Sequence, residues 1–151
     1  RFKRLIRKIQ PATGRLAQVT ENNKTHGAGA VKLELQGTLP PDCVAAFLYT
    51  TFPTREAAVA VATRLVEEHL AGCVNIIPGM TAVYVWNGAT EIADEVVLIA
   101  KMPPSRLEAA AMAVRLHHPY DTPALLVLPV VSGGAEYLDW LRAATRLPEP
   151  D

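Results

Sequence analysis

No apolar run in the chain approaches the ~20 residues that a membrane-spanning helix needs, and the first part of the chain has no apolar stretch of the ~7–15 residues typical of a secretory signal. Neither a membrane span nor export is expected. Cysteine is scarce, with only Cys43 and Cys73 among 151 residues. Two thiols in a chain that is 50% hydrophobic do not make a disulfide scaffold, so the expectation is a reducing compartment and a cytoplasmic location. There is no Cys-x-x-Cys or His-x-x-x-His pair, no Walker loop, no dinucleotide fingerprint and no Gly-x-Ser-x-Gly elbow. An organic cofactor and the commoner catalytic frameworks therefore have no support.

What is present is unevenly spread. The formal net charge is zero, yet residues 1–42 hold eight Lys/Arg against three Asp/Glu, and the remainder seven against twelve. Such a basic arm is more often a solvated tail than a nucleic-acid-binding element, so no nucleic-acid partner is expected. It also shares the Arg-rich, acid-poor character of an organellar transit peptide. Residues 1–42 read as an extension or linker with too little apolar surface to order itself, residues 43–147 as one domain with its own core, and residues 148–151 as a tail.

Within the domain, Val44 to Thr51 has the length and apolarity of a buried strand. Thr54 reads as the N-cap of a helix carrying Ala58, Val61, Ala62 and Leu65 on one face and stopped by Gly72. Cys73 to Trp86 and about Thr90 to Lys101 are strands joined at Asn87-Gly88, residues that tolerate the positive φ of a tight hairpin. Ser105 and Glu108 have capping-box spacing at the start of a second helix, which Pro119 ends at His118. A fourth strand, Leu125 to Val131, and a short helix around Tyr137 to Ala144 complete the chain. This β-α-β-β-α-β order with a terminal helix predicts an α+β, ferredoxin-like antiparallel sheet with the first and third strands central. Pro78 and Pro129 then fall in the second and fourth strands, at the edges, where a missing donor is tolerated.

In this topology the first and third strands are expected to run parallel to each other, with the second and fourth against them, so that one end of the sheet gathers Thr50, Thr51, Cys73, Lys101, His118, Tyr120 and Asp121. Cys73, His118 and Asp121 offer sulfur, imidazole and carboxylate, a set suited to copper or zinc more than to magnesium or calcium. Thr51, Trp86, Lys101 and Tyr120 are candidates for contact with a small ligand. Lys101 follows five apolar residues and reads either as an anion site or nucleophile, or as the partner of Asp121 or Glu91. His69 and His26 read as surface residues, and no catalytic residue is assigned.

The motifs Leu70-Ala71-Gly72-Cys73-Val74-Asn75-Ile76-Ile77-Pro78-Gly79, Tyr84-Val85-Trp86-Asn87-Gly88 and His118-Pro119-Tyr120-Asp121, with Glu136-Tyr137-Leu138-Asp139-Trp140, make residues 47–145 resemble the CutA divalent-ion-tolerance proteins. The chain departs at Asp121, where the family usually has Glu, and at Asn87 and Met102. The resemblance implies a ferredoxin-like homotrimer, self-associated and linked to metal ions, copper above all, with Cys73, Lys101, His118 and Tyr120 at characteristic positions. The leading expectation is a non-enzymatic, metal-binding trimer in copper homeostasis. The alternative is a signalling module resembling the trimeric PII proteins, with a small ligand in clefts between subunits. An enzyme using Cys73 or Lys101 as nucleophile ranks last, because no orienting residue is readable.

Overall fold

Alternation between two environments builds the sheet. In the computed structural model, which describes residues 33–150, β1 (Ala45–Phe52) buries Ala46, Leu48, Thr50 and Phe52 almost completely, and Leu48 and Phe52 belong to the main core. Helix α1 (Arg55–Glu67) supplies Ala58, Val61, Ala62 and Leu65 to that core, and α2 (Leu107–His117) supplies Leu107, Ala110, Ala111 and Val114. Strands β2 (Cys73–Trp86) and β3 (Ala89–Met102) form a long hairpin, with Leu98, Ala100 and Met102 of β3 fully buried. Each fully buried leucine or phenylalanine contributes about 1.5–3 kcal/mol relative to leaving it in water. The chain ends with β4 (Leu126–Val130) and α3 (Ala135–Ala144).

The sheet order is β2-β3-β1-β4, with β1 and β3 central as the element order predicts. The expected parallel relation between β1 and β3 is wrong. Phe47 pairs with Lys101 and Thr51 with Val97 in an antiparallel ladder. The reason is topological: β3 returns from β2 through a hairpin and opposes it, while the α1 crossover leaves β1 and β2 pointing the same way.

Several local readings hold and others need correction. Thr54 caps α1, its side chain accepting from the Ala57 N–H at 3.2 Å. Asn87 and Gly88 take φ of 49° and 78° at the hairpin turn, and His118 leaves α2 at φ −72°, ψ 137°. Gly72, however, does not stop α1, which ends five residues earlier at Glu67; the chain turns at His69 with φ 57°. Gly72 is small because α3 lies against it: a Cβ there would sit 2.8 Å from Leu141 Cδ1 and 3.3 Å from Ala144 Cβ. His69 is no bare surface residue either, since it is half-buried with Nδ1 3.3 Å from the Ala144 carbonyl at the end of α3. The capping box at Ser105 does not form. A 3-10 turn over Pro104–Arg106 leads into α2, whose N-cap Arg106 instead donates to the Thr145 carbonyl at 2.7 and 3.0 Å.

Residues ahead of the expected domain start at residue 43 also touch the core. Leu33, Leu35 and Leu39 are half-buried and pack against the main core, and Leu33 and Leu35 line a shallow groove with Glu108 and Met112 of α2. All eight basic groups expected to form an arm lie outside the described part of the chain, as does His26.

Candidate functional site

The antiparallel register divides the expected cluster between opposite ends of the sheet. At one end Cys73 opens β2 directly across from Lys101. At the other, His118 bonds to Thr51, whose partner on β3 is Val97. Four residues of extended chain separate Lys101 from Val97 on β3, roughly 13 Å at ~3.3 Å per residue. Within one chain Cys73, His118 and Asp121 therefore do not converge, and among the described residues no group of three His, Cys, Asp or Glu side chains is placed to hold a metal.

The His118 end is a closed hydrogen-bond chain. His118 is 2% exposed, and its ring stacks on Phe52 with centroids 4.3 Å apart. Nδ1 accepts the Tyr120 N–H at 3.0 Å, so the ring proton resides on Nε2 and is donated to the Thr51 carbonyl at 2.7 Å. Both nitrogens are occupied, and a metal would have to displace one of these partners. Tyr120, also buried, donates its hydroxyl to Glu95 at 2.7 Å. Burial, then the hydrogen bond to Glu95 and its charge, raise the phenol well above its ordinary pKa. Tyr84 repeats the motif more loosely, donating to Glu91 at 3.4 Å, and burial followed by the Glu91 charge raises its pKa too. His117, adjacent in sequence, lies on the exposed side of α2, its pKa lowered by burial and by the Arg64 charge.

The other end opens onto the sheet face turned away from α1 and α2. Register places Cys73, Lys101, Phe47 and Leu128 in one row across the four strands. Asn75, Ile99, Tyr49 and Leu126 form the next row, and Ile77, Val97 and Thr51 the third. Helix α3 covers only the margin of this face, through Leu138 and Leu141 against Ala45, Val44 and Val130. Leu126 is 60% exposed and Ile77 50%. Beyond the irregularity between Ile77 and Met80 the β2–β3 hairpin runs past the reach of β1, whose pairing with β3 stops at Val96. There Val83, Val85 and Ile92 are 64–72% exposed. Trp86 is half-buried near the hairpin turn, and Asp121 is exposed in the loop before β4.

Cys73 and Cys43 are both free and half-buried. Lys101 pairs with neither Asp121 nor Glu91: its ammonium lies 5.9 Å from the ring centroids of both Phe47 and Tyr137. Glu95, Tyr84, Phe47 and Tyr137, absent from the sequence-derived candidates, all contribute to these two ends. Strand register could have found Phe47 and Tyr84, which lie across from Lys101 and Glu91; Glu95 meets Tyr120 of a loop and Tyr137 reaches Lys101 from α3, contacts that no spacing along the chain announces.

Comparison with known proteins agrees with this architecture. "Protein CutA, chloroplastic" of Arabidopsis thaliana is 38% identical over 119 residues, 79% of this chain and 64% of its own. The chain thus spans about two thirds of the length of its plant relatives. The divalent-cation tolerance protein CutA of Thermus thermophilus is 42% identical over 95 residues, 63% of this chain and 92% of its own. The structure titled as a periplasmic divalent cation tolerance protein CutA from Archaeoglobus fulgidus superposes with a TM-score of 0.65 at 34% identity, covering 68% of this chain and 99% of the other. These names overturn the expectation of a cytoplasmic location, which rested on two cysteines and a missing export signal: relatives are named for the chloroplast and the periplasm. The model of the family described as "CutA1 divalent ion tolerance protein" matches residues 46–144, and with its four-stranded antiparallel sheet and open face the chain belongs to that family.

Proposed function

We propose that the protein is a homotrimeric divalent-cation tolerance protein that takes up copper as cargo without catalysing a reaction. The observation that carries the reading is the uncovered apolar sheet face with Cys73 at its edge. Side chains as apolar as Leu126 and Ile77, exposed on this face, mark a surface that another chain covers, and Val83, Val85 and Ile92 are exposed on the hairpin that extends past it. The count of three is the one that the family resemblance implies.

Cys73 is the soft donor on this face, and a sulfur favours copper over magnesium or calcium. One chain supplies one such ligand here, so a complete metal shell requires ligands from more than one subunit. His118 and Asp121 lie at the other end of the sheet, and His118 is fully engaged with Thr51 and Tyr120. The same separation argues against a Cys73–His118 nucleophilic pair, because the imidazole is not within hydrogen-bond reach of the sulfur.

Sedimentation of the untagged protein at micromolar concentration, with metal analysis of the same sample and of Cys73→Ser, tests the reading. The expected result is a mass of three subunits and copper that falls at least about tenfold in the variant, the loss of a thiolate ligand being worth that much or more. A mass of one subunit would remove the trimer. Copper retained in full by Cys73→Ser would remove the metal assignment.

A further inference from the structure

We infer that Lys101 is the anchor of a binding site for a small organic carboxylate on the open face of the sheet. The three rows that make up this face contain one cation, Lys101, and no Asp or Glu. The side chain is half-buried, and among the described residues no carboxylate forms an ion pair with it.

The surroundings select the kind of anion. The ammonium stands 5.9 Å from the centroids of the Phe47 ring of β1 and the Tyr137 ring of α3. Two aromatic walls beside one charge suit a flat, weakly hydrated body carrying a carboxylate, and disfavour an anion such as inorganic phosphate that must give up a full hydration shell. Tyr137 is 45% exposed, so the walls are open and a ligand can enter beside α3.

This inference deepens the assembly reading and rests on it in one respect. When copies of this face meet around a symmetry axis, each brings another Lys101 and none brings a carboxylate from these rows. Self-association through these rows therefore adds no counter-charge, and a bound anion would be enclosed between subunits.

The test uses the full chain, with benzoate as the probe and inorganic phosphate as the control, followed by isothermal titration. Saturable benzoate binding is expected in the unmodified protein. It should weaken at least about tenfold in Lys101→Met, the scale of one charge-assisted hydrogen bond, and largely survive in Lys101→Arg. Phosphate should bind neither form measurably. Sedimentation of the same samples keeps the two readings apart, because a trimer that ignores benzoate overturns this site and leaves the assembly intact. Equal benzoate binding by the unmodified protein and Lys101→Met would likewise overturn it. If Lys101→Met loses the trimer and the unmodified protein does not bind benzoate, the counter-charge comes from a neighbouring subunit and the inference fails.

Discussion

His118 Nε2 donates to the carbonyl oxygen of Thr51 at 2.7 Å, tying the loop after α2 to the end of β1. Because Nδ1 is also engaged with the Tyr120 N–H, the residue that looks in sequence like a metal ligand is a structural tie. His118→Ala should cost about 3 kcal/mol, from a lost buried ring and two backbone groups left unpaired. Chemical denaturation measures this directly. Copper affinity of the folded variant should stay within about threefold of the unmodified protein, less than the loss of a metal ligand would cause. A collapse of binding with unchanged stability would return His118 to the metal site.

Alkaline titration should register the phenols. Tyr120 and Tyr84 both have pKa values raised above the ordinary 10.0, so in the folded protein they hold protons that the unfolded chain releases. Their contribution is fully present below pH 10 and is lost as pH rises through the folded-state values. Tyr120→Phe should therefore be less stable at neutral pH by about 1 kcal/mol, the lost hydrogen bond to Glu95, and should decline less steeply above pH 10. Parallel curves for the two proteins would mean that Tyr120 ionises normally.

Thr50 invites a stabilising change. Its hydroxyl is fully buried with no hydrogen-bond partner among the described residues. Thr50→Val replaces it with a methyl of similar size and should raise stability by about 1 kcal/mol, the cost of an unsatisfied buried polar group being removed. A lower melting temperature would show that the hydroxyl has a partner.

Residues 33–39 should matter more than their composition suggests. Leu33, Leu35 and Leu39 pack on the main core, and Leu35→Ala should cost about 1–2 kcal/mol, less than a fully buried leucine. Removing residues 1–42 should lower the melting temperature by several degrees, whereas a linker would leave it unchanged.

The sequence carried the architecture well because local chemistry dictates it. Thr54 at the helix start, Asn87-Gly88 at the turn and Pro119 after α2 each act within a few residues of themselves, and all behave as read. Strand order followed too, since prolines sort edge strands from central ones. What failed was direction and distance. Taking β1 and β3 as parallel placed Cys73 beside His118, an error of one sign that moved a whole ligand set by roughly 13 Å. Gly72 misled for a related reason: its partner, α3, lies some seventy residues away, and nothing near it in the chain announces Leu141. The environment of Lys101 was hidden likewise, because Phe47 and Tyr137 reach it from distant segments.

The outer half of the β2–β3 hairpin has a consequence for the order of events in folding. Two strands alone form a marginal structure in water, and past Val96 no third strand among the described residues joins this ribbon. In the trimer proposed above, the domain beneath it consolidates in a single molecule and the ribbon settles when another chain arrives. Refolding should accordingly show a fast phase independent of protein concentration and a later one that speeds up as concentration rises. Dilution after the first phase would then hold the molecule with a finished core and an unfinished arm.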